Sequence, residues 1–135
     1  MSKEEDPFRI FNRYCKHIFK EMVEIYPDSK ILKMVKASFS LLKKVCKKAA
    51  ANFFFNNVLV HHKHHVDQRI PFFLNPQFSV TGFENIGTNI NETWNISSEK
   101  MREKYWEYMI KLTELCMATR KVVEWFWKQG KIIKS

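Results

Sequence analysis

Glycine is scarce in this chain, with three residues in 135, and proline is nearly as rare, with four. A phosphate-cradling loop or a dinucleotide fingerprint needs several glycines between a strand and a helix, so those enzyme classes are not expected. Cysteine is sparse and odd in number. Cys15, Cys46 and Cys116 lie far apart, form no CxxC pair and cannot supply a disulfide framework. Each falls in an apolar helical pattern, which makes it a small buried hydrophobe in an intracellular, reducing compartment. The opening MSKEEDPF has no apolar core, so no secretory signal is expected. No run approaches the roughly 20 apolar residues of a membrane span, and membrane partners are not expected. Asn91 and Asn95 open glycosylation-type triplets, expected to be coincidental without such a signal.

Apolar side chains, by contrast, are plentiful. Hydrophobic residues make up 45% of the chain and aromatics 15%, including twelve Phe and four Trp, which is too apolar for a disordered tail. The length suits one domain with a real core. Asp6-Pro7 reads as an N-cap followed by proline at the first helical position. Phe8, Phe11, Cys15, Ile18, Met22 and Ile25 then recur at spacings of three and four, predicting a helix over 7–26 that stops at Pro27. Asp28 or Ser29 caps a second helix over 29–50, with Ile31, Val35, Phe39, Leu42, Val45 or Cys46, and Ala49 as its core stripe. A third helix over 51–65 competes with a strand across FFFNNVLV. Residues 66–83 contain Pro71, Pro76 and Gly82 and read as irregular. A short helix over 84–94 would align Ile86, Ile90 and Trp94. Ser97-Ser98 caps a long final helix over 98–129, with Gly130 at the position of a C-terminal glycine cap. The expected fold is all-α: a single-domain bundle of four to five helices, with a long C-terminal helix and an irregular centre.

Charge is uneven. The chain carries +9, and residues 30–69 hold nine lysine or arginine residues against the single acid Asp67, a local +8. Lys30, Lys33, Lys36, Lys43, Lys44, Lys47 and Lys48 fall on the second helix, mostly opposite its stripe. With Lys63 and Arg69 they form a candidate surface for phosphate backbones or acidic proteins. Lysine acts as a point charge and reads no base, so nucleic-acid binding through it would be sequence-nonspecific. The plainer reading is a solvated helix face.

HHKHH at 61–65 is the other concentration. His61 with His65, His61 with His64, and His62 with His65 each share a helix face, and such pairs can bind zinc. A closed site needs four ligands, however, and Asp67 is the sole acid nearby, so His61, His62, His64 and His65 are weak metal candidates and no cofactor is expected. Protonation near pH 6 would instead enlarge the basic patch. The plainer reading here is a solvated helix end. Trp94, Tyr105, Trp106, Tyr108, Trp125, Phe126 and Trp127 crowd the last third. Adjacent positions cannot share one buried face, so Trp106, Trp125, Phe126 and Trp127 are candidate interface residues for a protein partner or self-association, with bundle core as the first alternative and membrane-surface contact as the second. Glu99, Glu103 and Glu107 alternate with Lys100, Arg102, Lys104 and Lys111 as an ion-paired solvated face, and no nucleophile has an identifiable base. No small-molecule substrate is indicated.

The segment FFFNNVLVHHKHHVDQRIPFF, Trp94 and REKYWEYMIKLTEL resembles small helical proteins of nucleocytoplasmic large DNA viruses. The likeness spans most of the chain and consists of hydrophobic spacings; the histidine cluster and aromatic tail depart from the pattern. It implies a viral origin and a role in the virion or viral factory, and it supplies no catalytic residue. These readings converge on a non-enzymatic interaction or structural protein that docks through its C-terminal helix, with nonspecific nucleic-acid binding through Lys30–Lys48 as the alternative.

Overall fold

A computed structural model describes the backbone of residues 6–75, 77–78 and 86–134, and side chains except those of 86–89, 122–123, 125–127 and 129–134. The fold is all-α, with no strand among the described residues. In chain order the elements are α1 (Pro7–Ile25), α2 (Lys30–Val45), α3 (Ala49–Phe54), a π turn (Phe55–Leu59), α4 (Val60–Asp67), a 3₁₀ turn (Phe72–Leu74), α5 (Ile86–Ile96) and α6 (Glu99–Lys134). FFFNNVLV is therefore helical, because the helix runs through it with a π turn in place of a break. The chain divides into two compact units: residues 1–53 with 112–135, and residues 54–111.

In the first unit, local chemistry sets the helix ends. Asp6 Oδ1 accepts from the Phe8 amide at 2.9 Å, and Ser29 Oγ accepts from the Leu32 amide at 3.2 Å. Phe8 and Phe11 of α1 are buried, and Phe19 meets Phe39 of α2 with ring centroids 5.3 Å apart. Cys116 donates its S–H to the Ala51 carbonyl at 3.4 Å, and Arg120 donates to Asn52 Oδ1 at 3.0 Å, which fastens α3 to α6. Ala51 and Cys116 have no exposed surface; a larger side chain at 51 would clash with α6.

The second helix ends earlier than expected. Cys46 is extended, with φ −153° and ψ 119°, so the chain leaves α2 after Val45. No glycine or proline causes this. Asn12, buried on α1, donates to the Lys47 carbonyl at 2.9 Å, and Lys47 pairs with Asp6. Lys48 lies over the Phe8 ring, 5.6 Å from its centroid. A tertiary contact thus ends the helix where local propensity would continue it.

The second unit packs around an aromatic cluster. Val66, Phe72, Phe73 and Trp106 are buried together, with Ile90, Trp94, Met109 and Ile110 half-buried against them. Residues 66–83, expected to be irregular, begin with the end of α4 and a sharp reversal. The Ile70 amide donates to the His65 carbonyl at 2.8 Å and the Arg69 amide to Val66 at 3.1 Å, the paired bonds of a Schellman stop. Arg69 holds the left-handed position at φ 55°, where glycine is usual. Residues 76 and 79–85 lie outside the described residues. Ser98 Oγ accepts from the Met101 amide at 3.2 Å and caps α6. That helix continues through Gly130 to Lys134 instead of ending at the glycine. A helical glycine costs only about 1 kcal/mol, too little by itself to end a helix.

Candidate functional site

Helix α2 carries the most unusual surface among the described residues. Lys30, Lys33, Lys36, Lys43 and Lys44 are all exposed, and none is paired with a carboxylate among the described residues. The helix contains no acid. Its apolar residues span a wide arc, and the first unit covers only part of it. Phe39 is buried and Ile31, Leu32 and Val35 are half-buried. Met34 is 48% exposed, Leu41 65%, Leu42 40% and Val45 86%.

These exposures correct the core stripe expected from sequence. Val45 and Cys46 lie on the surface, because the helix ends there and no described residue of the unit covers that turn. Met34, Ser38, Leu41 and Val45 follow one another at spacings of four, three and four, the periodicity of a helix–helix seam. Over eleven residues the seam is about 16 Å long. Lys30 and Lys44 border it on one side, seven residues either side of Ala37.

The remaining members of the predicted basic surface separate. Lys33, Lys36, Lys43 and Lys44 share α2, whereas Lys47 and Lys48 leave it and hold Asp6 and Phe8 at the start of α1. Lys47 in turn keeps the Asp6 carboxyl below its usual range. Lys63 and Arg69 belong to the second unit: Lys63 pairs with Asp67 at 2.9 Å, and Arg69 forms the turn after α4. Ion pairing and backbone geometry therefore occupy three of the nine predicted cations, Lys47, Lys63 and Arg69, in local structure.

HHKHH divides by face. His61 and His64 are exposed, while His62 and His65 are half-buried against the aromatic cluster. The His62 ring stacks on Phe72 with centroids 4.4 Å apart, and Phe78 approaches its edge at 5.9 Å. His62 Nδ1 and His65 Nδ1 lie 3.1 Å apart, so one ring must donate and the other accept. Burial, then the neighbouring His65, His61 and His64, pushes His62 below the usual histidine pKa. The cluster is thus more than a solvated helix end. Among the described residues no group of three or more His, Cys, Asp or Glu is placed to hold a metal ion.

The predicted aromatic interface also changes. Trp106 is 6% exposed, with its ring 5.7 Å from Phe73 and 5.9 Å from Trp94. It belongs to the core, because α5 and the 3₁₀ turn cover the face of α6 that it occupies. Trp94 is itself held at that corner: Arg102 donates to its carbonyl from Nε at 3.0 Å and Nη2 at 2.8 Å, with the guanidinium 5.0 Å from its ring centroid. The side chains of Trp125, Phe126 and Trp127 lie outside the described residues. No described helix is long and apolar enough to cross a membrane. The chain matches no protein-family model, no curated protein and no solved structure.

Proposed function

We propose that this protein is a non-enzymatic interaction protein and that α2 is its docking element. The observation carrying the reading is the exposure of Met34, Leu41 and Val45 in one seam beside Lys30 and Lys44. Four large apolar side chains on one short exposed helix are more than the scattered surface hydrophobes usual in a monomer. Lysines beside the seam keep such a surface soluble until a partner covers it. The setting we propose is a virion or viral factory, on the strength of the sequence resemblance alone.

Nonspecific nucleic-acid binding is the second reading, favoured by five unpaired lysines on a helix without an acid. It uses the lysines and leaves the apolar seam without a role, so it ranks second.

Cys46, exposed beside Val45, supplies a partner-independent test. Alkylation of Cys46 is measured on the purified chain and in cells that naturally express it. Occupied docking predicts rapid labelling of the purified protein and protection in cells. Equal, rapid labelling in both settings contradicts the reading.

A further inference from the structure

The geometry points to a specific occupant of α2: an acidic amphipathic helix of another protein, laid along Met34, Ser38, Leu41 and Val45. The inference rests on α2 being the docking element and adds the chemistry of the partner. In heptad terms Met34 and Leu41 take d positions and Ser38 and Val45 take a positions. Lys30 and Lys44 then fall at g, the flank that pairs across a two-helix seam. Ile31 continues the a series one heptad earlier and is half-buried. A partner helix with apolar a and d residues and Glu at its flanks would cover the seam and neutralise both lysines. Lys33, Lys36 and Lys43 lie further round α2 and add a steering field of the same sign.

Other occupants fit less well. Two antiparallel copies of α2 would set Lys30 against Lys44, like charge on like charge. Two parallel copies would set Lys30 against Val35 and leave the lysines without counter-charges. An interfacial membrane helix buries a broad apolar face containing Trp, Phe or Leu. On α2 the inner half of that arc, Ile31, Val35 and Phe39, already packs within the unit, and no exposed seam residue is aromatic. Nucleic acid would engage the lysines but would bring no apolar surface to Leu41 and Val45.

The test titrates the full chain with four probes at about 50 mM salt. These are a three-heptad helical peptide with Leu at a and d and Glu at e and g, the same peptide with Lys at e and g, a DNA duplex, and phosphatidylserine vesicles. The inference expects saturable one-to-one binding of the Glu peptide alone. Leu41→Ala should weaken it about tenfold, the cost of one uncovered leucine. Ser38→Leu should tighten it by a similar factor by filling the one polar gap in the seam. The pair Lys30→Glu with Lys44→Glu should exchange preference to the Lys peptide. All four positions have exposed or half-buried side chains on α2, and unchanged circular dichroism confirms the fold of each variant.

Binding of the duplex or vesicles in preference to the Glu peptide overturns the inference, as does Glu-peptide binding insensitive to Leu41→Ala and to the charge exchange. Failure of every probe, with Cys46 still protected in cells, overturns the acidic-helix assignment and leaves α2 as the docking element. Failure of every probe with Cys46 unprotected overturns both.

Discussion

Replacing Trp106 with alanine removes the largest fully packed side chain from the aromatic cluster of the second unit, where Trp94 is only half-buried. Its ring meets Phe73 at 5.7 Å and Trp94 at 5.9 Å, and only 6% of the residue is exposed. Truncating a buried Trp to Ala costs about 3–5 kcal/mol through lost transfer energy and the residual cavity. The edge-to-face contact with Trp94 contributes about 0.5–1.5 kcal/mol of its own, part of which falls within that range. A loss near 4 kcal/mol is a large share of the roughly 5–15 kcal/mol typical of a domain. Urea unfolding followed by far-ultraviolet circular dichroism measures it, since backbone signal is independent of the missing indole. Trp106→Phe serves as the milder variant that keeps a ring against Phe73 and should lose less than half as much. A loss below about 1 kcal/mol for Trp106→Ala would refute the core assignment and return Trp106 to the surface.

Three further outcomes follow from particular geometries. His62 has its pKa depressed by burial, so the native state resists a proton that the unfolded chain accepts near 6.5. Its contribution to stability is therefore complete above pH 6.5 and falls as pH drops below it; urea midpoints at pH 7.5 and 5 should diverge less in His62→Phe than in the parent, and equal divergence counts against this. Arg69→Gly relieves a left-handed backbone at φ 55° and should stabilise by about 0.5–1 kcal/mol, read as a higher melting temperature; destabilisation of that size would mean the arginine side chain contributes more than its backbone costs. Burial pushes the Cys15 thiol up to about 12 and Cys116 to about 11, so a thiol reagent at neutral pH should titrate one cysteine quickly, Cys46, and the other two only after denaturation. Three fast thiols would contradict the packing of α1 and α6.

Much of the helical framework was legible because its signals are local. Asp6-Pro7, Ser29 and Ser98 mark helix starts through their own side chains, and Pro27 marks the end of α1. The end of α2 was not legible, since it depends on Asn12 and Asp6 reaching Lys47 across more than thirty residues. The turn at Arg69 was hidden for a similar reason: a non-glycine residue occupies a position that sequence reading assigns to glycine. At the candidate site, the lysine row and the apolar arc of α2 were both visible in the spacing. Which half of that arc is covered was not, because periodicity reports that residues share a face and says nothing of what packs on it. Met34 and Leu41 went unnoticed as a seam for that reason, with Ser38 interrupting the pattern. Trp106 illustrates the converse. Adjacent aromatics at 105 and 106 suggested exposure, yet Tyr105 is half-buried and Trp106 buried, because α5 and the 3₁₀ turn together cover a wider face than one helix could.

The most direct measurement places a photo-crosslinking amino acid at position 41 of the full chain, in cells that naturally express it. The account predicts a covalent adduct, abolished by Lys30→Glu with Lys44→Glu, whose joined peptide is an acidic, amphipathic helical segment of another protein. An adduct to nucleic acid or lipid, or no adduct from a correctly folded variant, would contradict it.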